Sequence, residues 1–199
     1  PNEKPEVIPS LQEWYGYEGD FELTESSKII YNDTADAGIR EAAWNMQEDL
    51  KEIAGLDLTV EEGNAPASSN DIYIESQTDD TYGVGDEGYL LKTDDEGVHI
   101  YAPTYTGCLY GTITVEQILD QAEDNRTVPK GITRDYPAYE VRGIMLDVAR
   151  TPYRLSQLQD YAKIMLWYKM NEYHLHINDN DNCNTAFASN ETHAGFHRL

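Results

Sequence analysis

Val141–Asp181, VRGIMLDVARTPYRLSQLQDYAKIMLWYKMNEYHLHINDND, holds two apolar runs that each end in charged or amide residues. The first, Ile144, Met145, Leu146 and Val148, is interrupted only by Asp147 and bounded by Arg142 and Arg150. Its length and composition predict a strand buried on both faces. Ser156 and Gln159 then supply an S-x-x-Q capping box, and Leu158, Tyr161, Ala162, Met165 and Leu166 recur at helical spacing, with Asn171 as the stop. A second strand, Tyr173 to Ile177, runs straight into Asn178, Asp179, Asn180, Asp181 and Asn182. Two strands joined by a crossover helix make a parallel unit. Polar residues at the ends of such strands are where α/β enzymes place their chemistry.

Upstream, PNEKPEVIPS is a proline-punctuated extended lead that cannot form a central strand. Lys28 to Tyr31 reads as a strand. Asp36 is the expected cap of a helix in which Ile39, Ala43, Met46, Leu50 and Ile53 form one stripe, ended by Gly55. Short strands are expected at Leu56–Val60 and Ile72–Ser76. Tyr89–Lys92 and Val98–Tyr101 flank Asp94, Asp95, Glu96 and Gly97, the signature of an antiparallel hairpin. A second helix spans about Gly107 to Gln121. In VPKGITRDYPAYEV, Pro129 and Pro137 enforce extended backbone, which reads as an interdomain connection. The fold class is therefore α/β: a small sandwich domain at 1–136 with a mixed sheet and helices on one face, then a β-α-β unit at 137–199.

Thirty-seven acidic against fourteen basic residues give a formal net charge of −23. That surface repels phosphate backbones and anionic membranes, so nucleic acid is not an expected partner. The charge is read as a solvated surface that keeps a secreted or salt-exposed protein soluble. No run approaches the roughly 18 apolar residues of a membrane span, so no membrane insertion is expected. Cys108 and Cys183 lack a C-x-x-C spacing and are read as unpaired.

Asp147 inside an apolar strand needs a partner if buried, and Arg150 or Arg142 is expected to form an ion pair with it. Either arginine could also present a guanidinium fork to ligand hydroxyls or a carboxylate. His174 and His176 lie two apart on a strand and share a face, so a metal-dependent hydrolase is one reading and packed strand histidines another. The run after Ile177 lacks the glycine and glutamate of a calcium loop. No G-x-S-x-G, P-loop or dinucleotide fingerprint is present.

The blocks LYGTITVEQIL, VP, YPAYEVRGIMLDVAR and MNEYHLHINDN, in that order, resemble glycoside hydrolase family 20, the β-N-acetylhexosaminidases and lacto-N-biosidase-like enzymes. The tail NETHAGFHRL is similar to the loop after the second barrel strand in some bacterial members. The resemblance implies a small α/β domain followed by a (β/α)8 barrel that carries the active site. It implies that Arg142 holds the 3- and 4-hydroxyls of a terminal N-acetyl sugar, and that Asp179 belongs to a polar network beside the general acid. Asp147, Arg150 and His176 are expected to support them. The family pattern is broken at Asn180, Leu175 and Thr151, where a second acid, tryptophan and histidine are common.

The implied mechanism is retaining and substrate-assisted, a recognised exception to the two-carboxylate scheme. The 2-acetamido oxygen attacks the anomeric carbon, an aspartate orients it, and a glutamate protonates the leaving oxygen. That Asp-Glu pair has no match between 143 and 199, so no catalytic residue is expected in this chain. A barrel takes about 250 residues, and only two strands fit after Gly143. The chain is thus expected to be the front of a longer, bacterial-type secreted or cell-surface enzyme, inactive alone. Its expected partners are the remainder of the barrel and a glycan ending in N-acetylhexosamine, with no cofactor and no metal. The alternatives are a noncatalytic carbohydrate-binding or scaffold module, and the metal-dependent hydrolase.

Overall fold

The computed structural model describes residues 1–177 apart from Asp36 and Pro152. These residues form two compact units, divided between Ala138 and Tyr139. Among them no helix is long and apolar enough to cross a membrane.

The first unit is built on a seven-stranded mixed sheet. Its strands are β1 (Tyr15–Glu22), β2 (Lys28–Asp33), β3 (Thr59–Glu62), β4 (Ile72–Ser76), β5 (Tyr89–Asp94), β6 (Gly97–Ala102) and β7 (Thr127–Asp135), in the spatial order β1-β7-β5-β6-β4-β2-β3. The parallel half is β3, β2, β4 and β6; the antiparallel half is β6, β5, β7 and β1. The β5–β6 hairpin closes over two residues, with Asp94 opposite Gly97 and Gly97 at φ 123°, a value that favours glycine.

Helices α1 (Ile39–Ile53) and α2 (Tyr105–Gln121) pack together and on the sheet. The expected stripe of α1 is buried at Ile39, Ala43, Met46 and Leu50. The cap differs from expectation. Gly38 holds the N-cap position, and the Asp33 carboxylate at the end of β2 accepts from the N–H groups of Ala37, Gly38 and Ile39. Asp36 lies outside the described residues. Helix α2 is capped by Thr104, whose Oγ1 accepts from Gly107 N at 3.1 Å. Its contact face is made of small residues: a Cβ added at Gly107 would lie 2.2 Å from Gly88 O, and one at Gly111 2.5 Å from Ile100 Cγ2. Backbone and sheet therefore approach more closely than any larger residue allows.

Two strands were not expected. VPKGITRDYPAYEV is not simply a connection, because Thr127–Asp135 is an interior strand between β1 and β5. Pro129 is tolerated there because the pairing with β1 is irregular between Gly16 and Asp20, just where Pro129 sits opposite Asp20. Strand β1 follows the extended lead and forms the sheet edge. The strand expected at Leu56–Val60 lies at Thr59–Glu62, with Leu56 and Leu58 buried before it.

Glu116 sits on α2 at 1% exposure, and its Oε2 has no hydrogen-bond partner among the described residues. Burial, with the charge of Asp49, pushes its carboxyl well above the usual carboxylate range. The unfolded chain ionises this group above a pH of about 4.3, whereas the folded one keeps the proton. Folding stability is therefore lost as pH rises through that interval. Glu116→Gln, neutral and nearly isosteric, should match the parent in thermal melts at pH 4 and exceed it increasingly towards pH 8.

The second unit holds β8 (Gly143–Asp147), α3 (Leu155–Trp167) and β9 (Glu172–His176). The strands pair in parallel, Gly143 opposite Glu172 and Asp147 opposite His176. The expected Ser156/Gln159 box is replaced by one three residues long from Arg154: the Gln157 side chain accepts from Arg154 N at 2.9 Å. Leu158 and Met165 are buried. The strand expected to be buried on both faces is not so covered by the described residues, since Met145 is 61% exposed.

Candidate functional site

Parallel strands present their loops at the carboxyl end, and in barrels and open α/β sheets that end carries the chemistry. At that end of β8 and β9 stand Asp147, Val148, Arg150 and His176. Val148 N donates to His176 O at 3.1 Å and extends the pairing one step past Asp147. The Asp147 carboxylate then caps the turn, accepting from Ala149 N at 3.1 Å and Arg150 N at 3.0 Å, and pairs with the Arg150 guanidinium. These bonds, led by the Arg150 N–H, hold its carboxyl below the usual value. The expected ion pair thus exists, but it is not buried: side-chain exposure is 24% at Asp147 and 46% at Arg150. Hydrogen bonds from the turn, not a low-dielectric interior, stabilise the charge.

Sheet alternation sets the two faces of this unit. The Tyr173 ring lies near Tyr153 and Tyr161 of the α3 side, and its phenol is shifted upward mainly by burial. Asp147, His174 and His176 fall on the opposite face, as does Met145. In a barrel the face away from the helices is the interior. His174 and His176 share this face as expected. Among the described residues no third histidine, cysteine or carboxylate joins them at ligand spacing.

Arg142 lies elsewhere. It precedes β8 and so stands at the amino end, opposite the loops that follow the strands. Its Nε donates to Lys169 O at 2.9 Å and one terminal nitrogen to Tyr139 O at 2.8 Å. Asn171 completes the latch, accepting from Arg142 N through Oδ1 and donating to Glu140 O through Nδ2. Lys169 takes a positive φ of 55° in this turn. The guanidinium therefore ties the α3–β9 turn to the entrance of β8. Both arginines flank one strand in sequence, and only strand direction tells them apart. Asp179 lies outside the described residues, as does Cys183. Cys108 is buried, and its thiol is pushed up to about 12 by that burial, so it offers no nucleophile.

Residues 4–136 match the profile described as "Glycosyl hydrolase family 20, domain 2", and residues 139–188 match "Glycosyl hydrolase family 20, catalytic domain". The chain belongs to glycosyl hydrolase family 20. It is 29% identical over 180 residues to a beta-hexosaminidase of Porphyromonas gingivalis, covering 87% of this chain and 22% of that protein. It is 27% identical over 143 residues to a lacto-N-biosidase of Bifidobacterium bifidum, covering 72% and 12%. The chain thus spans about a fifth or less of these relatives. Among solved structures, the D313A mutant of Streptomyces plicatus beta-hexosaminidase in complex with GlcNAc superposes with a TM-score of 0.74 at 26% identity, covering 87% of this chain and 34% of that one. The first unit of this family 20 chain therefore corresponds to its domain 2, and the β8-α3-β9 unit to the beginning of the catalytic domain.

Proposed function

We propose that these 199 residues are the front portion of a glycosidase that removes terminal β-linked N-acetylhexosamine, or a lacto-N-biose unit, from glycans outside the cell. The observation that carries this reading is the unbroken order of the two family 20 domains along the chain, each on its own compact unit. Beta-hexosaminidases and a lacto-N-biosidase among the relatives support the substrate class. The −23 charge supports the extracellular setting.

In this reading β8 and β9 open a (β/α)8 barrel, and their carboxyl ends form one rim of the sugar pocket. Arg150, positioned by Asp147, presents a guanidinium fork suited to vicinal hydroxyls. His176 stands beside Asp147 on the interior face, and Asp179 is assigned a substrate-binding role by the family resemblance alone. The acetamido oxygen of the substrate is the nucleophile, so the catalytic carboxylates orient that group and protonate the leaving oxygen. Such an acid needs a raised pKa to donate near neutrality. The remaining barrel strands supply it.

A substrate-assisted mechanism depends on the 2-acetamido group. The enzyme that carries these residues as its front should therefore hydrolyse an aryl N-acetyl-β-glucosaminide and leave the aryl β-glucoside, with a 2-hydroxyl, essentially untouched. Comparable rates on the two would contradict the reading.

A further inference from the structure

We propose that Asp94, Glu96 and His99, at the β5–β6 hairpin, form a binding site for a divalent transition ion, for which Zn2+ is the natural probe. This site is separate from the glycosidase reading and does not depend on it. Spacing alone links His99 to no ligand; the hairpin register does, because it sets Lys92 opposite His99 and Asp94 opposite Gly97, all on one face of the sheet.

That face is the one away from α2, which packs over Tyr89 and Ile100 on the other side. One donor atom from each of the three residues lies within 4.8 Å of the others. Acidic clusters are common on a surface this charged, and the decisive observation is the imidazole. His99 is 5% exposed, and its Nε2 is buried without a hydrogen-bond partner among the described residues. It points at Asp94, whose Oδ1 is 3.9 Å away, too far for a hydrogen bond. The other ring nitrogen, Nδ1, lies 3.2 Å from the Tyr101 hydroxyl oxygen and can donate to it. That tautomer leaves a lone pair on Nε2 facing a carboxylate, which is unfavourable unless a cation lies between them. A ligating histidine typically donates its second N–H to an oxygen in this way, fixing the ring.

Lys92 is the competing cation, and it pairs with Oδ2 of Asp94, so Oδ1 can turn to an ion while Lys92 stays. Oδ1 already accepts from Glu96 N at 2.9 Å, which fixes the carboxylate at the turn. A cavity of about 280 Å³ reaches Asp94 and is walled in part by Asp20, Glu22, Asp95 and Lys130, whose ammonium pairs with Asp95, so the acidic groups outnumber the basic one on the approach. One imidazole and two carboxylates suit zinc, with water at the fourth position, better than calcium or magnesium, which take oxygen ligands.

The test is calorimetric titration of the chelator-stripped 199-residue chain with Zn2+, alongside Glu96→Gln and His99→Gln. The expected result is one saturable equivalent in the parent, weakened more than about tenfold in each variant, with a zinc-induced rise in Tm that is lost in Glu96→Gln. Glu96 is exposed, so that variant decides the matter should His99→Gln fail to fold. No saturable binding, or binding that survives both substitutions because it belongs to His174 and His176, would overturn the proposal. An equal response to Ca2+ would overturn the choice of a transition ion.

Discussion

Gly107→Val should strongly destabilise the first unit. The Cβ alone would lie 2.2 Å from Gly88 O and 2.8 Å from the Ala102 Cβ, and two of the three closest atoms are backbone. Neither α2 nor the start of β5 can swing a side chain away, so the helix must lift from the sheet. Lifting it separates the buried contacts of α2 from the sheet, among them the hydrogen bond between the Tyr89 hydroxyl of β5 and Thr114 Oγ1 of α2 at 2.5 Å. Overpacking of this kind costs about 3 kcal/mol or more, against the roughly 5–15 kcal/mol that holds a domain together. Circular dichroism and urea titration should show a markedly lower midpoint, whereas Gly85→Ala, with nothing within 4 Å of its Cβ, should stay near the parent. Gly85 has a φ of 74°, so a modest strain penalty is expected there.

The second large effect separates the two arginines. In the enzyme that carries this chain as its front, Arg150→Ala should lower kcat/KM by about 100-fold. Two charge-assisted hydrogen bonds to sugar hydroxyls at roughly 1.5 kcal/mol each make about 3 kcal/mol, and each 1.36 kcal/mol is tenfold. Arg142→Ala should act differently. It removes donors to Lys169 O and Tyr139 O and loosens the turn that feeds β9. The expected result is a lower Tm with kcat/KM per folded molecule within about threefold of the parent, since the change lies at the far end of the strand. A large kcat/KM loss in Arg142→Ala with unchanged Tm would reverse the assignment. Acid should weaken the Arg150 rim as well: Asp147 has a depressed carboxyl, so its stabilising charge is present above the unfolded value near 4 and lost as pH falls through the lower folded value.

Much of this was legible in the sequence because periodicity and turn chemistry are local. The Ile39 to Leu50 stripe, the hairpin at Gly97 and the strand-helix-strand unit from Gly143 to His176 all follow from spacing and punctuation. Strand β7 was not, because two prolines mask it: Pro129 is tolerated beside an irregular register with β1 and past the end of the pairing with β5, which are tertiary facts. The cap of α1 was missed for a similar reason. Asp33 reaches forward over the turn from the end of β2, and the motif places a cap next to the helix.

The site was legible in composition and not in direction. Sequence shows arginines on both sides of Ile144 to Leu146, and the parallel pairing with β9 adds that Arg142 stands at the amino end of the pair and Arg150 past the carboxyl end. The Asp147–Arg150 pair was readable from its spacing, while its exposure was not, since burial depends on what covers the strand. His99 gave no signal at all, because its neighbours Asp94 and Glu96 reach it across a hairpin rather than along a helix or a short loop.

In the proposed reading the chain carries one rim of the sugar pocket and none of the catalytic carboxylates. The most direct measurement is prolonged incubation of the purified 199-residue chain, at high protein concentration, with an aryl N-acetyl-β-glucosaminide. No release above the blank is expected. Turnover that scales with the amount of this chain and disappears in Arg150→Ala would contradict it.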